Sequence, residues 1–265
     1  MKAKTTITFL FVIFTQFFQA QIDDKFYQPK KELQPIDLTY ENISIPVDKD
    51  TITAIFLKPN MAKPKGTILF FHGAGGNVST YVFMIKPLVE SGFQVAMVDF
   101  RGYGKSTGTP THMNVAADGQ KFFDLISQRK DVKNTKLIIY GASLGSQISA
   151  HLAKNNKDKI SGLVIDGGMS SFADIAAVFA PQFKDALAKM LASVYSAKED
   201  IKSTEGLPKL FIYSKNDKTV PFSQGEEIYK NAPEPKQFFE FTQDHLLVAK
   251  EKPQEMAKAV EALLK

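Results

Sequence analysis

The chain has 265 residues, a formal net charge of +5 at pH 7, 44% hydrophobic residues, 23% charged residues and no cysteine. This length and composition suit one large globular domain, and the lack of cysteine excludes disulfides, thiolate metal sites and a cysteine nucleophile. The four histidines are scattered along the chain, so no metal site is predicted. The positive charge is small and evenly spread, which argues against nucleic-acid binding.

The first 20 residues have the layout of a secretory signal peptide. Two lysines precede an apolar run over residues 7–18, which is too short to cross a bilayer because that takes about 20 residues. Ala20 is a small residue at which cleavage can occur. We therefore expect residues 1–20 to be removed and the protein to be secreted or periplasmic, without a membrane span in the mature chain. An uncleaved anchor or a buried strand is the alternative.

Residues 21–38 are predicted to form an N-terminal arm, and residues 39–265 a single domain in which short apolar runs alternate with helical stretches. The predicted strands are 40–46, 51–57, 67–71, 94–98, 137–140, 162–165, 210–213 and 237–241. The predicted helices are 79–90, 115–128, 143–155, 223–230 and 255–264. Two leading antiparallel strands followed by this alternation predict an α/β fold, with an eight-stranded, mostly parallel sheet and helices on both faces.

Two stretches have roles that the sequence leaves open. Residues 169–206 are longer than a simple crossover requires and contain two helical segments, 172–178 and 184–195. They form either a short helical lid or a crossover helix with a surface helix that has no role in binding. The glycine-rich loop after the fourth predicted strand is predicted to be structural and to support the turn at residues 141–145. Substrate contact by Arg101 or Tyr103 is the alternative.

Residues 141–145, Gly-Ala-Ser-Leu-Gly, have the G-x-S-x-G spacing of a nucleophile elbow. They follow an apolar run and precede a helical stretch, so a sharp turn would present the Ser143 hydroxyl clear of the sheet. The flanking glycines leave room where side chains would collide with neighbouring backbone. The N-terminus of the next helix would favour a developing oxyanion. Ser143 is therefore the predicted nucleophile.

A serine nucleophile needs a base, and the base needs a carboxylate that orients it. In this architecture the chain order is serine, acid, histidine, and His245 is the one histidine of the C-terminal region, directly after the last predicted strand. Asp217 follows the preceding strand and is the predicted acid. Asp244 is the competitor, although it would have to fold back onto the ring of its neighbour.

The loop after the third predicted strand reads His72-Gly-Ala-Gly-Gly-Asn, and its glycines let backbone approach a substrate closely. The N–H groups of Ala74 and Leu144 are predicted to bind the oxyanion. The loop lacks the lysine and the glycine spacing of a phosphate-binding loop, so phosphate binding is disfavoured.

Taken in order, these motifs resemble those of the α/β-hydrolase superfamily. The chain is similar to its serine-aminopeptidase-like and monoacylglycerol-lipase-like branch, which includes the small abhydrolase-domain proteins, over roughly residues 40–264. The resemblance implies the α/β-hydrolase fold and places the family's triad and oxyanion donors on the residues just named. One departure is Asp244, because many relatives have glycine before the histidine. A carboxylate there could raise the proton affinity of the histidine.

The motifs therefore predict a serine hydrolase that cleaves carboxylic esters through an acyl-enzyme intermediate, with a small-molecule acyl substrate and no cofactor. A peptidase, or a hydrolase of acyl amides or thioesters, is the alternative on the same site, since all of these share the motifs. A non-catalytic binding domain on the same fold is an alternative of a different class. It is disfavoured because every expected motif is present. Haloalkane or epoxide chemistry is disfavoured because its relatives have a carboxylate in place of Ser143.

Overall fold

The computed structural model describes residues 25–192 and 194–265, so the predicted signal peptide lies outside the described residues. The strands of the described part are β1 (Gln28–Pro29), β2 (Tyr40–Val47), β3 (Asp50–Leu57), β4 (Gly66–Phe71), β5 (Gly75–Gly76), β6 (Phe93–Asp99), β7 (Leu137–Ala142), β8 (Gly162–Asp166), β9 (Lys209–Ser214) and β10 (Lys236–Phe241). Eight of them form one sheet in the order β10-β9-β8-β7-β4-β6-β3-β2.

β3 runs opposite to the other strands of this sheet, so its pairings with β2 and β6 are antiparallel and the other pairings are parallel. The predicted eight-stranded, mostly parallel sheet is confirmed. Successive side chains of a strand point to opposite faces, and in β4 Ile68 and Phe70 pack into one hydrophobic core while Leu69 and Phe71 pack into the other. Strands that are apolar on both sides therefore form the middle layer, with helices on either face.

The helices of the described part are α1 (Val78–Glu90), α2 (His112–Ser127), α3 (Gly145–Asn156), α4 (Phe172–Phe179), α5 (Lys184–Met190), α6 (Ala197–Asp200), α7 (Phe222–Asn231), α8 (Val248–Glu251) and α9 (Pro253–Ala262). Short 3-10 turns occupy Lys157–Lys159, Pro181–Phe183 and Ile201–Ser203. No helix in the described ranges is long and apolar enough to cross a membrane.

Helix boundaries differ from the sequence prediction where capping side chains decide them. We expected a helix to begin after Asn114, but α2 begins three residues before Val115, at His112. Thr111 is its N-cap, because its side chain accepts from the Asn114 N–H while the Asn114 side chain accepts from the Thr111 N–H. This reciprocal capping box satisfies two backbone donors that would otherwise lack partners. The helix predicted over 184–195 is also shorter, since α5 ends at Met190.

The N-terminal arm contributes a pairing that the sequence did not predict. Gln28 and Pro29 lie parallel to Gly75 and Gly76 as a separate two-stranded sheet. Two residues are too few to show a periodic pattern, so no local sequence signal reveals such a strand. The arm is thereby attached to the glycine-rich loop that follows β4.

Arg101, in the loop after β6, joins three parts of the chain through carboxylates. Its guanidinium donates to both oxygens of Asp118 on α2, at 2.7 and 2.9 Å. It also donates to Asp50 at 3.0 Å and to Asp48 at 2.6 Å in the β2–β3 turn. The Arg101 and Asp118 side chains are only 7% and 2% exposed. The alternative in which Arg101 contacts substrate is therefore not supported, because the side chain is buried and most of its donors are used in this network.

Replacement of Arg101 by alanine is expected to lower the free energy of unfolding by about 3–5 kcal/mol, because it leaves the Asp118 carboxylate buried without its partner. Lys65→Ala is the matched control, since Lys65 forms a 2.6 Å ion pair with Glu261 at an exposed site and such pairs contribute about 0–1 kcal/mol. Urea denaturation of both variants measures the difference. Equal, small losses in the two variants would contradict a structural role for the network.

Candidate active site

The turn between β7 and α3 holds Ser143 in a strained backbone conformation. Ser143 has φ of 51°, in the left-handed region that non-glycine residues seldom adopt. Its N–H donates to the carbonyl oxygen of Asp166 at the end of β8, at 2.8 Å. Strain of this kind persists only where surrounding contacts impose it, and here the neighbouring strand provides one of them.

The two glycines of the elbow are required by packing. A methyl group on Gly145 would lie 2.1 Å from the carbonyl oxygen of Phe71, and one on Gly141 would lie 2.5 Å from Oγ of Ser149. Both distances are far below van der Waals contact, so no larger residue fits at either position. α3 therefore starts directly above the end of β4, with Leu144 as its N-cap. The first N–H groups of a helix lack the usual acceptor four residues earlier; here those of Ser146 and Gln147 bond to the carbonyl oxygens of Ser143 and Leu144 instead, both at 3.0 Å.

Asp217 and His245 meet at the carboxyl ends of β9 and β10. Oδ2 of Asp217 is 2.6 Å from Nδ1 of His245, and the Asp217 side chain is 1% exposed. Its other oxygen, Oδ1, accepts from the N–H groups of Thr219 and Val220, both at 2.8 Å. The carboxylate is thus held by two main-chain donors and aimed at the ring. Asp217 thus contacts Nδ1 of His245, and Nε2 is the ring nitrogen that it does not bind.

Asp244, the predicted competitor, is turned toward the main chain. Its Oδ1 accepts from the N–H of His245 at 2.8 Å and from the N–H of Lys218 at 3.2 Å. These bonds hold the pKa of Asp244 below its usual value, the largest contribution coming from the His245 N–H. Asp244 therefore binds the backbone of His245, while Asp217 binds its ring.

The end of β8 links the elbow to the histidine. Asp166 accepts the Ser143 N–H, and the next residue, Gly167, has φ of 55°. A methyl group on Gly167 would lie 2.9 Å from Cε1 and 3.1 Å from Nδ1 of His245. The glycine-rich loop also approaches the elbow closely, because a methyl group on Gly73 would lie 3.2 Å from Cβ of Ser143. Four loops therefore converge on one small region.

A cavity of about 620 Å³ opens at this point, and Ser143, Leu144 and Ala74 line it together with Val220. The structure thus brings the predicted nucleophile and both predicted oxyanion donors to one cavity. The remaining wall is mostly apolar and comes mainly from the arm and the 169–206 segment. Its polar residues are Lys25, Gln28 and Thr219, and its apolar residues are Phe26, Met169, Ile175, Ala176, Phe179, Ala180 and Leu187. Helices α4 and α5 therefore form part of the cavity wall, whereas Phe172 does not line the cavity and packs against His112 and Phe26.

Asp166 is a buried acidic residue beside the site; it lies one residue beyond the predicted strand 162–165, and the sequence predicted no role for it. Burial raises the pKa of Asp166 from 3.8 to about 7, opposed by the Tyr140 hydroxyl and by His245, and reinforced by Asp217. Tyr140 donates to Oδ2 at 2.6 Å, whereas Oδ1 is buried without a hydrogen-bond partner. A carboxyl residue at the end of the strand next to the elbow was the available signal. In the described ranges, no group of three or more histidine or acidic residues could hold a metal ion.

The raised pKa of Asp166 predicts a pH-dependent stability. The unfolded chain loses this proton near pH 4 while the folded protein keeps it up to about pH 7, so the contribution of Asp166 is full below about pH 4 and is lost as pH rises through about 7. We expect the wild-type free energy of unfolding to fall relative to that of Asp166→Asn across this window. Urea denaturation at several pH values measures it. The exposed Asp185→Asn variant should follow the wild type, and a constant difference for Asp166→Asn would refute the assignment.

Comparison with known proteins places the chain in a family. The family model of serine aminopeptidase, S33, matches residues 62–200. The protein YfhR of Escherichia coli O157:H7 is 33% identical over 171 residues, which are 64% of this chain and 59% of that protein. Bem46 of Schizosaccharomyces pombe is 26% identical over 188 residues, which are 70% of this chain and 63% of that protein. The matched part thus spans less than two thirds of these relatives.

A solved structure shows the same fold. The esterase Pf2001 of Pyrococcus furiosus superposes with a TM-score of 0.71 at 16% identity, and the match covers 89% of this chain and 98% of that one. The predicted α/β-hydrolase fold is confirmed by this likeness and by the family match, which includes the elbow and extends over more than half of the chain. The chain belongs to the serine aminopeptidase S33 family of the α/β-hydrolase superfamily.

Proposed function

We propose that this protein is a serine hydrolase that cleaves carboxylic esters, with Ser143 as nucleophile, His245 as base and Asp217 as the acid. The observation that carries the proposal is the 2.6 Å contact between Asp217 and His245, next to a cavity lined by a strained serine at a helix N-terminus. A buried carboxylate on Nδ1 fixes the tautomer that leaves Nε2 free to accept a proton.

The proposed reaction has two stages. Ser143 Oγ attacks the ester carbonyl carbon as His245 takes its proton, and the carbonyl oxygen becomes an oxyanion bound by the N–H groups of Ala74 and Leu144. The intermediate collapses when His245 gives the proton to the leaving alcohol, and the acyl group stays on Ser143. Water, activated by His245, then releases the acid. Asp217 holds the imidazole and stabilises its charged form.

The cavity wall favours an ester of an apolar acid over a peptide with a free amino terminus. Recognition of an ammonium group calls for a buried carboxylate or equivalent acceptors, and the residues described as lining the cavity include no aspartate or glutamate. An apolar acyl group would instead bury its surface against Phe26, Ile175 and Phe179. The structural relative Pf2001 is an esterase. A panel of esters, thioesters and aminoacyl amides tests the bond type, and a preference for amides would refute the ester proposal.

A fluorophosphonate probe is expected to label the purified protein with one equivalent, observed as a mass increase of the intact chain. Ser143→Ala should remain unlabelled, because the probe reacts with a serine that its base and oxyanion donors activate. Circular dichroism controls for folding of both proteins. A folded wild-type protein that takes up no probe would favour the alternative of a non-catalytic binding domain.

Two carboxyl variants separate the proposed acid from its neighbour. Asp217→Asn is expected to lower kcat by about four orders of magnitude, because the amide stabilises the wrong tautomer of His245. Asp244→Asn should keep a kcat close to that of the wild type, since Asp244 binds only main-chain N–H groups. Steady-state hydrolysis of a chromogenic ester measures both. Comparable losses in the two variants would argue against Asp217 as the sole acid.

A further inference from the structure

Three successive carbonyl groups of the glycine-rich loop each accept a hydrogen bond from a different side chain. We call residues 73–75 the oxyanion loop. The Gly73 oxygen is 2.7 Å from Nδ1 of His72, the Ala74 oxygen is 2.5 Å from the Tyr103 hydroxyl, and the Gly75 oxygen is 2.9 Å from the Tyr81 hydroxyl. The three donors come from the residue after β4, the loop after β6 and α1. Non-adjacent parts of the chain therefore orient this short loop.

These bonds determine where the N–H groups of the loop point. In a trans peptide the C=O and the following N–H lie on opposite sides, so a Gly73 carbonyl drawn toward His72 directs the N–H of Ala74 the other way. Ala74 lines the cavity beside Ser143. The bond from Tyr103 orients the next peptide plane and so limits rotation of Ala74 about its own backbone. A donor loop rich in glycine would otherwise have many accessible conformations.

The three side chains remain donors under ordinary conditions. Burial lowers the pKa of His72 to about 4, so its ring is neutral, and a neutral ring that bonds a carbonyl through Nδ1 carries its proton there. Burial raises the pKa of Tyr81 to about 12 and that of Tyr103 further still. Tyr103 is fully buried and packs 4.8 Å from the His72 ring.

The N-terminal arm provides a second donor to the Ala74 carbonyl oxygen, which also accepts from Tyr103. The Gln28 N–H lies 2.9 Å from the Ala74 oxygen and 3.0 Å from the Tyr103 hydroxyl oxygen, so it is shared between them. The Lys30 oxygen accepts from the Gly104 N–H and from the Asn77 amide, both at 2.9 Å. The arm therefore lies between the oxyanion loop and the Tyr103 loop and is bonded to both.

We propose that Tyr103 and the arm backbone at Gln28 are positioning elements of the oxyanion hole, acting through the Ala74 carbonyl to hold the Ala74 N–H on the reacting oxygen. The proposal rests on the proposed ester hydrolysis. It extends the site to an arm that precedes the strands of the main sheet. It also gives the loop after β6 a role in orienting the oxyanion loop, whereas the sequence predicted that this loop supports the elbow.

Tyr103→Phe removes the hydroxyl and leaves the ring. We expect kcat for a chromogenic ester to fall about 10-fold while KM stays within about twofold, because only binding of the oxyanion is weakened. Affinity for a trifluoromethyl ketone, whose adduct with Ser143 carries an oxyanion, should fall in parallel with kcat. Tyr27→Phe is the matched control, because it also removes one buried tyrosine hydroxyl. Tyr27 lies in the N-terminal arm next to Gln28, but its hydroxyl bonds His112 and not the oxyanion loop. It should leave both quantities near wild type.

A second pair of variants tests the arm without changing the core. Gln28→Pro removes the N–H that bonds Ala74 and Tyr103, whereas Gln28→Ala keeps it and removes only the side chain. We expect the proline variant to have a lower kcat and a weaker trifluoromethyl ketone affinity than the alanine variant, with KM similar in the two. This comparison still decides the matter if Tyr103→Phe fails to fold.

The outcomes separate the two proposals. A wild-type protein that is not labelled by fluorophosphonate refutes the proposed function itself. A wild-type protein that is labelled and active, with kcat and ketone affinity unchanged in Tyr103→Phe and equal in the two Gln28 variants, refutes the positioning role alone. A rise in KM without a fall in kcat would also overturn it, because it would place the effect on substrate binding rather than on the oxyanion.

Discussion

The tight packing of the elbow against the end of β4 is the constraint on which the rest of the site depends. α3 begins where even a methyl group on residue 145 would lie 2.1 Å from the Phe71 carbonyl oxygen. The same packing keeps Ser143 in the left-handed region, at a cost of roughly 1–3 kcal/mol for a residue other than glycine. The bond from its N–H to Asp166 and the two buried cores on either side of the sheet offset that cost. The strained serine is thus supported by the whole sheet.

Parallel strand order explains why the polar groups of the site meet. The carboxyl ends of neighbouring parallel strands lie at one edge of a sheet, and here β7, β8, β9 and β10 are consecutive neighbours. Asp166 is the last residue of β8, and Asp217 and His245 follow β9 and β10. The two carboxyl groups are both buried but have different donors: Asp217 accepts from two main-chain N–H groups and is paired with the histidine, whereas Asp166 accepts from one phenol, and its other oxygen has no hydrogen-bond partner. Such a difference suits two carboxyl groups for different roles.

The cavity is assembled from segments that lie far apart in the chain. The oxyanion loop and the elbow form its polar end, while Phe26 of the arm and residues of α4 and α5 form its apolar wall. The N-terminal arm takes part in both, since its backbone bonds the Ala74 carbonyl and its side chains line the wall. An ester with an apolar acyl group matches this division, because its carbonyl and its hydrocarbon part need opposite surroundings.

The sequence by itself determined the fold class. Apolar runs of about five residues that alternate with helical stretches can be recognised from local hydrophobic periodicity alone. It also singled out Ser143, Asp217 and His245, since the glycine spacing of the elbow and the chain order of the motifs are one-dimensional properties. Tertiary structure decided the rest: that Asp217 reaches the ring while Asp244 binds the main chain, that Asp166 is buried beside them, and that the arm joins the oxyanion loop. These depend on contacts between residues distant in sequence, such as Gln28, Ala74 and Tyr103, and no local pattern encodes which of them will be neighbours.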